Sequence, residues 1–257
     1  HLIGQDLAIP LDVEMQRPGE GEVPAAKRLL ERVFANYPRY FDAVVGDGLY
    51  LESPFINFCR EHHKHVVVVV KGDHRLLLQD AKGLFSQRAP GQWSQGRRTV
   101  QYWDEEGFTS CEGVSEPLRV LHTLETVRRR ERIARQWKES EETSSWYWAT
   151  TFNQRQLPTR EFYQAGHGRW DIENGCFNST STHWGLDHVF KHEPTAIVNF
   201  VLTLFLAFVL LQCFWQRNLK PSLRACFTLI GLAAELYAAL ANTKRGGGQG
   251  IPCARGP

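Results

Sequence analysis

From Leu7 to Met15 every second residue is apolar (Leu7, Ile9, Leu11, Val13, Met15), with Pro10, Asp12 and Glu14 between them. Alternation of this kind predicts a half-buried strand. Pro10 cannot donate to a ladder, so the strand is expected at a sheet edge. Behind Pro24, Leu29, Leu30, Val33, Phe34 and Tyr37 recur at helical spacing until Pro38, which predicts a helix. Phe41 to Val45 reads as a buried strand ending at Gly46-Asp47. Ser53 and Pro54 look like the N-cap and first residue of a helix reaching about His62. The run Val66 to Val70 is β-branched throughout, as a strand covered on both faces should be. Strand, helix and strand in succession imply a parallel crossover, and the edge strand before them implies a mixed sheet.

A short helix is expected near Leu76 to Phe85. Beyond it, Thr99 to Trp103, Val120 to Val127 and Trp146 to Phe152 read as strands, separated by Gly107, Gly113, Pro117 and a charged run. We read 90–151 as a β-rich insertion. Helical character returns at Thr159 to Ala165 and Arg169 to Phe177, and a strongly apolar helix is expected from Ala196 to Trp215. The Gly-rich stretch Gly246 to Pro257 is expected to be disordered. The chain thus divides into a first core part over 1–89, the insertion over 90–151, a second core part over 152–243 and a tail over 244–257.

Composition narrows this picture little. The 257 residues are 42% hydrophobic and 23% charged, ordinary for a globular protein. With 30 basic and 28 acidic residues there is no global positive excess, so any affinity for nucleic acid must come from local patches. The six scattered cysteines form no Cys-x-x-Cys pair and look like thiols of a reducing compartment. The chain opens on His1 and carries its one methionine at Met15, so a preceding segment is expected.

Two acidic positions carry the candidate chemistry. Asp47 sits where a strand ends, the side of an open α/β sheet on which ligands bind. Glu173 lies on an expected helix, one turn after Arg169. Carboxylates converging on a pair of hard cations can activate a water or a 3′-hydroxyl and stabilise the leaving oxygen in phosphoryl transfer. Spacing alone leaves simpler readings open, with Asp47 as a turn residue before Gly48 and Glu173 as the surface ion-pair partner of Arg169.

The segment Val44-Val45-Gly46-Asp47-Gly48-Leu49-Tyr50 resembles the second acidic motif of DDE transposases of bacterial insertion sequences, specifically the insertion-sequence-four type. Gly168-Arg169-Trp170-Asp171-Ile172-Glu173-Asn174 resembles the third, with Arg169 and Glu173 matching the family's Arg and Glu. The resemblance spans roughly Leu7 to Leu219. It implies an α/β fold with a ribonuclease-H-like mixed sheet and helices, interrupted by the β-rich insertion. It implies Asp47 and Glu173 as catalytic ligands of two Mg²⁺ ions, for which Mn²⁺ can substitute, and Arg169 as a DNA phosphate contact. It also implies transposon ends and target DNA as partners, a homodimer on DNA, and the bacterial cytoplasm as location. Two positions depart from the pattern: Gly166 stands where the family has Tyr, with Tyr163 a turn earlier, and Thr180 where it has Lys. The first catalytic Asp is expected before His1, because Asp12 sits on the expected edge strand rather than a central one; Asp12 is expected to be solvated.

Other features carry weaker expectations. Arg128, Arg129 and Arg130 form a basic run, either a solvated face or a DNA backbone contact. Trp146 and Trp148 lie in an aromatic cluster, and some relatives hold a flipped base on an insertion aromatic, a task that suits tryptophan. His183, Asp187, His188 and His192 are close enough in sequence to suggest a metal site. The helix from Ala196 has nearly the length of a membrane span, though a covered core helix is equally apolar, and no membrane partner is expected. A catalytically inactive DNA-binding remnant and a membrane-anchored protein remain the alternatives.

Overall fold

The computed structural model describes all residues except 5–6, 73–74, 134–135, 189–191 and 244–257, and leaves the side chains of 131–133, 136, 138 and 243 undescribed. The chain forms two compact units, Gln16–Arg169 and His1–Met15 joined with Trp170 onward. The expected disorder of 246–257 lies outside the described residues.

The first unit is built on a sheet. Helix α1 (Glu22–Asn36) precedes β1 (Ala43–Gly46), a 3₁₀ turn (Gly48–Tyr50), α2 (Ser53–Glu61), β2 (His65–Val69) and α3 (Leu76–Phe85). Strands β3 (Gly91–Gln95), β4 (Arg98–Phe108), β5 (Leu118–Ile133) and β6 (Gln136–Thr150) follow, then α4 (Thr159–Gly168). The six strands form one sheet in the order β1-β2-β6-β5-β4-β3. Only β1 and β2 are parallel; β6 joins antiparallel to β2, pairing Val67 with Thr150 and Val69 with Trp148. The β-rich segment over 90–151 is therefore hydrogen-bonded into the sheet that carries β1. Its strands are also longer than their apolar cores suggest.

The valine run shows why both faces are filled. Val66, Val68 and Val70 enter a core made with α1, α2 and α3, including Phe34, Phe55, Ile56, Leu78 and Phe85. Val67 and Val69 point the other way, into a core with Leu121, Trp148 and Phe162 under α4. The start of α2 differs from expectation: Glu52 is the N-cap, without a side-chain capping bond, and Ser53 and Pro54 are the first two helical residues.

The expected edge strand is overturned. Residues 7–15 form no ladder, and the segment makes a single antiparallel bridge between Leu2 and Ile9. The amide of Gln212 accepts from Ala8 N–H and donates to Ala8 O, both at 2.9 Å, so a side chain serves backbone groups that a strand would pair. The edge-strand reason for setting Asp12 aside falls with it. Asp12 is half-buried, and its carboxylate accepts the Val13 N–H at 2.7 Å.

The second unit continues with a π-helical turn (Ile172–Phe177), α5 (Asn178–Trp184), α6 (Pro194–Cys213), a second π turn (Phe214–Asn218), α7 (Pro221–Arg224) and α8 (Leu229–Thr243). Its core joins Cys176 of the first π turn to Val201, Leu204, Phe205 and Phe208 of α6, with Ala8, Val13 and Trp184 against them. Helix α6 does not have the all-round cover of a core helix. One face is buried, whereas Leu206 and Leu210 are 61% and 59% exposed. By length and composition Pro194–Asn218 would suffice to cross a membrane, and its inner face is nonetheless built into this core.

Candidate active site

The parallel strand β1 ends at Gly46, and the chain turns at once into a 3₁₀ segment for which Asp47 is the N-cap. Asp47 Oδ1 accepts the Leu49 N–H at 2.9 Å. The turn reading of Asp47 thus holds together with its position at the carboxyl end of a sheet strand. Close packing shapes this turn. A Cβ at Gly46 would stand 2.9 Å from the Tyr50 ring, and one at Gly48 would stand 3.3 Å from Val69 O at the end of β2. The Arg75 guanidinium straps the turn, donating to Gly48 O at 3.0 Å and to Leu51 O. Tyr50 donates to Glu22 at 2.6 Å; burial, this bond and the charges of Glu22 and Asp47 all push its phenol upward. Arg75 had no sequence signal, because it lies 28 positions from Asp47 and only folding makes them neighbours.

Glu173 belongs to the other unit. It lies exposed in the first turn of the π segment, whose geometry is set by Asn178 N–H bonding to Glu173 O, five residues back. Single π turns inside helices are frequent at functional sites. Buried Cys176 fixes the opposite side of this turn against α6. Thr180, at the family's Lys position, is fully buried, and its hydroxyl donates to Cys176 O at 2.8 Å. It braces the helix.

Arg169 caps α4, whose packing explains the other departure. A Cβ at Gly166 would lie 2.6 Å from the Trp148 indole, so a tyrosine has no room there. Trp148 is 1% exposed and belongs to the core; Trp146, two residues along β6 on the same face, is half-buried with its ring 6.1 Å away. Both rings border His167, at 5.0 and 5.9 Å. Tyr163 is engaged with Glu125 and Arg98. Burial pushes the Glu125 carboxyl up, but the hydrogen bond and charge of His167, with Tyr163 and Arg98, outweigh it and hold the group below the usual range.

The basic run falls within β5, not in a separating loop. Arg128, Arg129 and Arg130 lie where β5 and β6 form a two-stranded ribbon beyond the last β4 pairing, Arg98 with Val127. They pair with Glu141, Glu142 and Glu139 at 2.9, 2.8 and 3.8 Å. All six side chains are more than half exposed, so these bonds exchange readily with solvent or another anion.

Among the described residues no group of three or more His, Cys, Asp or Glu could hold a metal ion, and this includes His183, Asp187, His188 and His192. Helix α5 carries His183 in its last turn and ends at Gly185, left-handed at φ 68°, so no helix continues from His183 to His188. For Asp47 and Glu173 the donor type fits a hard divalent cation, since each offers carboxylate oxygen at an accessible position.

No curated protein matches the chain. A family model described as a transposase DDE domain matches residues 2–210, which takes in Asp47, the whole sheet, α4, the Glu173 turn and most of α6. Since the match covers most of the 257 residues, the chain belongs to the transposase DDE domain family, whose members act on DNA by phosphoryl transfer.

Proposed function

We propose that this chain is the catalytic domain of a DNA transposase of the insertion-sequence-four type. It cuts at transposon ends and joins the freed 3′-hydroxyl to target DNA. The carrying observation is Asp47 at the carboxyl end of β1 within the matched residues, in the setting where open α/β sheets place their ligands. Asp47 and Glu173 would hold Mg²⁺, or Mn²⁺ in its place. When bound, the ions would make water a stronger nucleophile and stabilise the leaving oxygen. Arg169 contacts a phosphate near the cleaved bond. Trp146 is half-buried and is the better placed of the two tryptophans to stack on a base, since Trp148 would have to leave the core. Arg128, Arg129 and Arg130 meet the DNA backbone, exchanging glutamates for phosphates. Paired ends call for a homodimer, and the expected location is the bacterial cytoplasm.

A catalytically silent remnant that keeps the fold is the second reading, favoured by Gly166 and Thr180 at positions where the family carries side chains for DNA. One experiment separates the two. Nicking of supercoiled plasmid DNA by the full chain should require Mg²⁺ or Mn²⁺ and fall by at least about a thousandfold in Asp47→Ala and in Glu173→Ala. Nicking that survives both substitutions refutes the assignment of the site, and metal-dependent nicking lost in both excludes the remnant.

A further inference from the structure

Glu125 lies midway along β5 on the face covered by α4, with 3% of its side chain exposed. Its carboxylate meets His167 Nε2 at 2.7 Å, Tyr163 OH at 3.1 Å, and Arg98 and the Thr123 hydroxyl at 3.4 Å. A carboxylate withdrawn from water to this depth is retained only where donors replace its hydration. Two of these donors, Tyr163 and His167, are four residues apart and so share one face of α4. Between them in sequence, Gly166 lets the helix backbone close on Trp148. The other end of α4 is tied as well. Arg119 and Asp104 form a buried pair at 2.5 and 2.7 Å, Thr159 donates to Asp104 at 2.7 Å, and the Arg119 guanidinium lies 5.0 Å over the Phe162 ring. Helix α4 also packs on the face of β1 and β2 that carries Val45, Val67 and Val69. Its last turn ends at Gly168, next to Arg169.

We propose that Glu125 is a positioning residue for phosphoryl transfer: its carboxylate holds the last two turns of α4, so that Arg169 leaves the helix at a set place relative to Asp47 at the end of β1. The inference rests on the phosphate-contacting role proposed for Arg169. Glu125 touches neither DNA nor metal in this scheme and acts only through the helix end.

Hydrogen exchange of the full chain, followed by mass spectrometry, reads the placement without requiring activity. Glu125→Gln keeps the side-chain shape and removes its charge. Amides of 165–169 should then exchange about tenfold faster or more, while β1 and β2 keep their protection. Tyr163→Phe and His167→Phe each remove one donor, should speed the same segment less, and decide the matter if Glu125→Gln unfolds. Unchanged exchange at 165–169 in all three variants overturns the proposal, as does protection lost evenly across the sheet. In plasmid nicking with Mg²⁺, Glu125→Gln should slow the single-turnover rate about tenfold in the wild-type background and less than about twofold in Arg169→Ala, where there is no guanidinium left to place. Equal losses in both backgrounds refute positioning through Arg169. Nicking that ignores Asp47→Ala refutes the proposed site instead, and hydrogen exchange still decides whether Glu125 holds the helix end.

Discussion

At the scale of single residues, two positions show a side chain dictated by its neighbours. Gly166 is the clearer, since any Cβ there enters the Trp148 indole at 2.6 Å. Restoring the family's tyrosine by Gly166→Tyr should destabilise the sheet unit by about 3 kcal/mol or more, beyond ordinary overpacking, measured by urea unfolding. Adding Trp148→Ala should recover part of that loss; a Gly166→Tyr chain as stable as wild type would show that α4 does not lie on Trp148. His122 is the second. Its ring is stacked 4.0 Å from Tyr147 and 4.7 Å from Trp103, and burial, with a smaller effect of Lys82, brings its pKa down to about 4. The unfolded chain therefore takes up a proton on His122 before the folded one does. Stability should be full above about pH 6.5 and decline as pH falls from there towards 4. His122→Phe should flatten that part of the profile, and a slope unchanged by the substitution would place the pH sensitivity elsewhere. Neither constraint was legible in the sequence, because each arises from a contact between different elements.

Among the elements, helix α4 illustrates how buried charge can serve geometry. The pair Arg119 and Asp104 is almost wholly buried, at 1% and 3% side-chain exposure, and ties β5 to β4 while meeting the first turns of α4. Removing one partner strands a charge, so Asp104→Ala should cost about 3–5 kcal/mol in chemical denaturation. The double change Asp104→Leu with Arg119→Met should cost much less; equal losses would mean that packing, not charge, sets the penalty. Local pattern identified several elements well. Helix α3 has the expected bounds, and β1, β2 and α1 differ from expectation by a few residues, because their periodicity or β-branching follows directly from which faces are buried. The ribbon of β5 and β6 was misread as a separator. Its strand character rests on cross-strand pairs such as Arg128 with Glu141, thirteen positions apart, and a window of charged residues cannot display them. The alternation from Leu7 to Met15 failed for the converse reason. Alternation marks a face but supplies no neighbouring edge, and here the Gln212 amide takes backbone groups of Ala8.

For the molecule as a whole, the ribbon offers a test of how DNA is held. If Arg128, Arg129 and Arg130 contact the backbone, replacing all three by Ala should weaken binding to a random-sequence duplex and reduce the slope of log affinity against log salt by about two to three. An unchanged slope would mark the run as a solvated face already neutralised by Glu139, Glu141 and Glu142. The sequence by itself determined the α/β class, the valine strand and its parallel neighbour, and the two acidic motifs that point to the transposase DDE domain family. These are properties of short windows, in which burial and backbone preference act on adjacent residues. Only the tertiary structure decided that the β-rich segment joins the sheet of Asp47, that Gly166 makes room for Trp148, that Thr180 is a buried brace, and that Glu125 grips α4. Each of these depends on which surfaces meet when distant segments close on one another, and residue order along the chain does not record that.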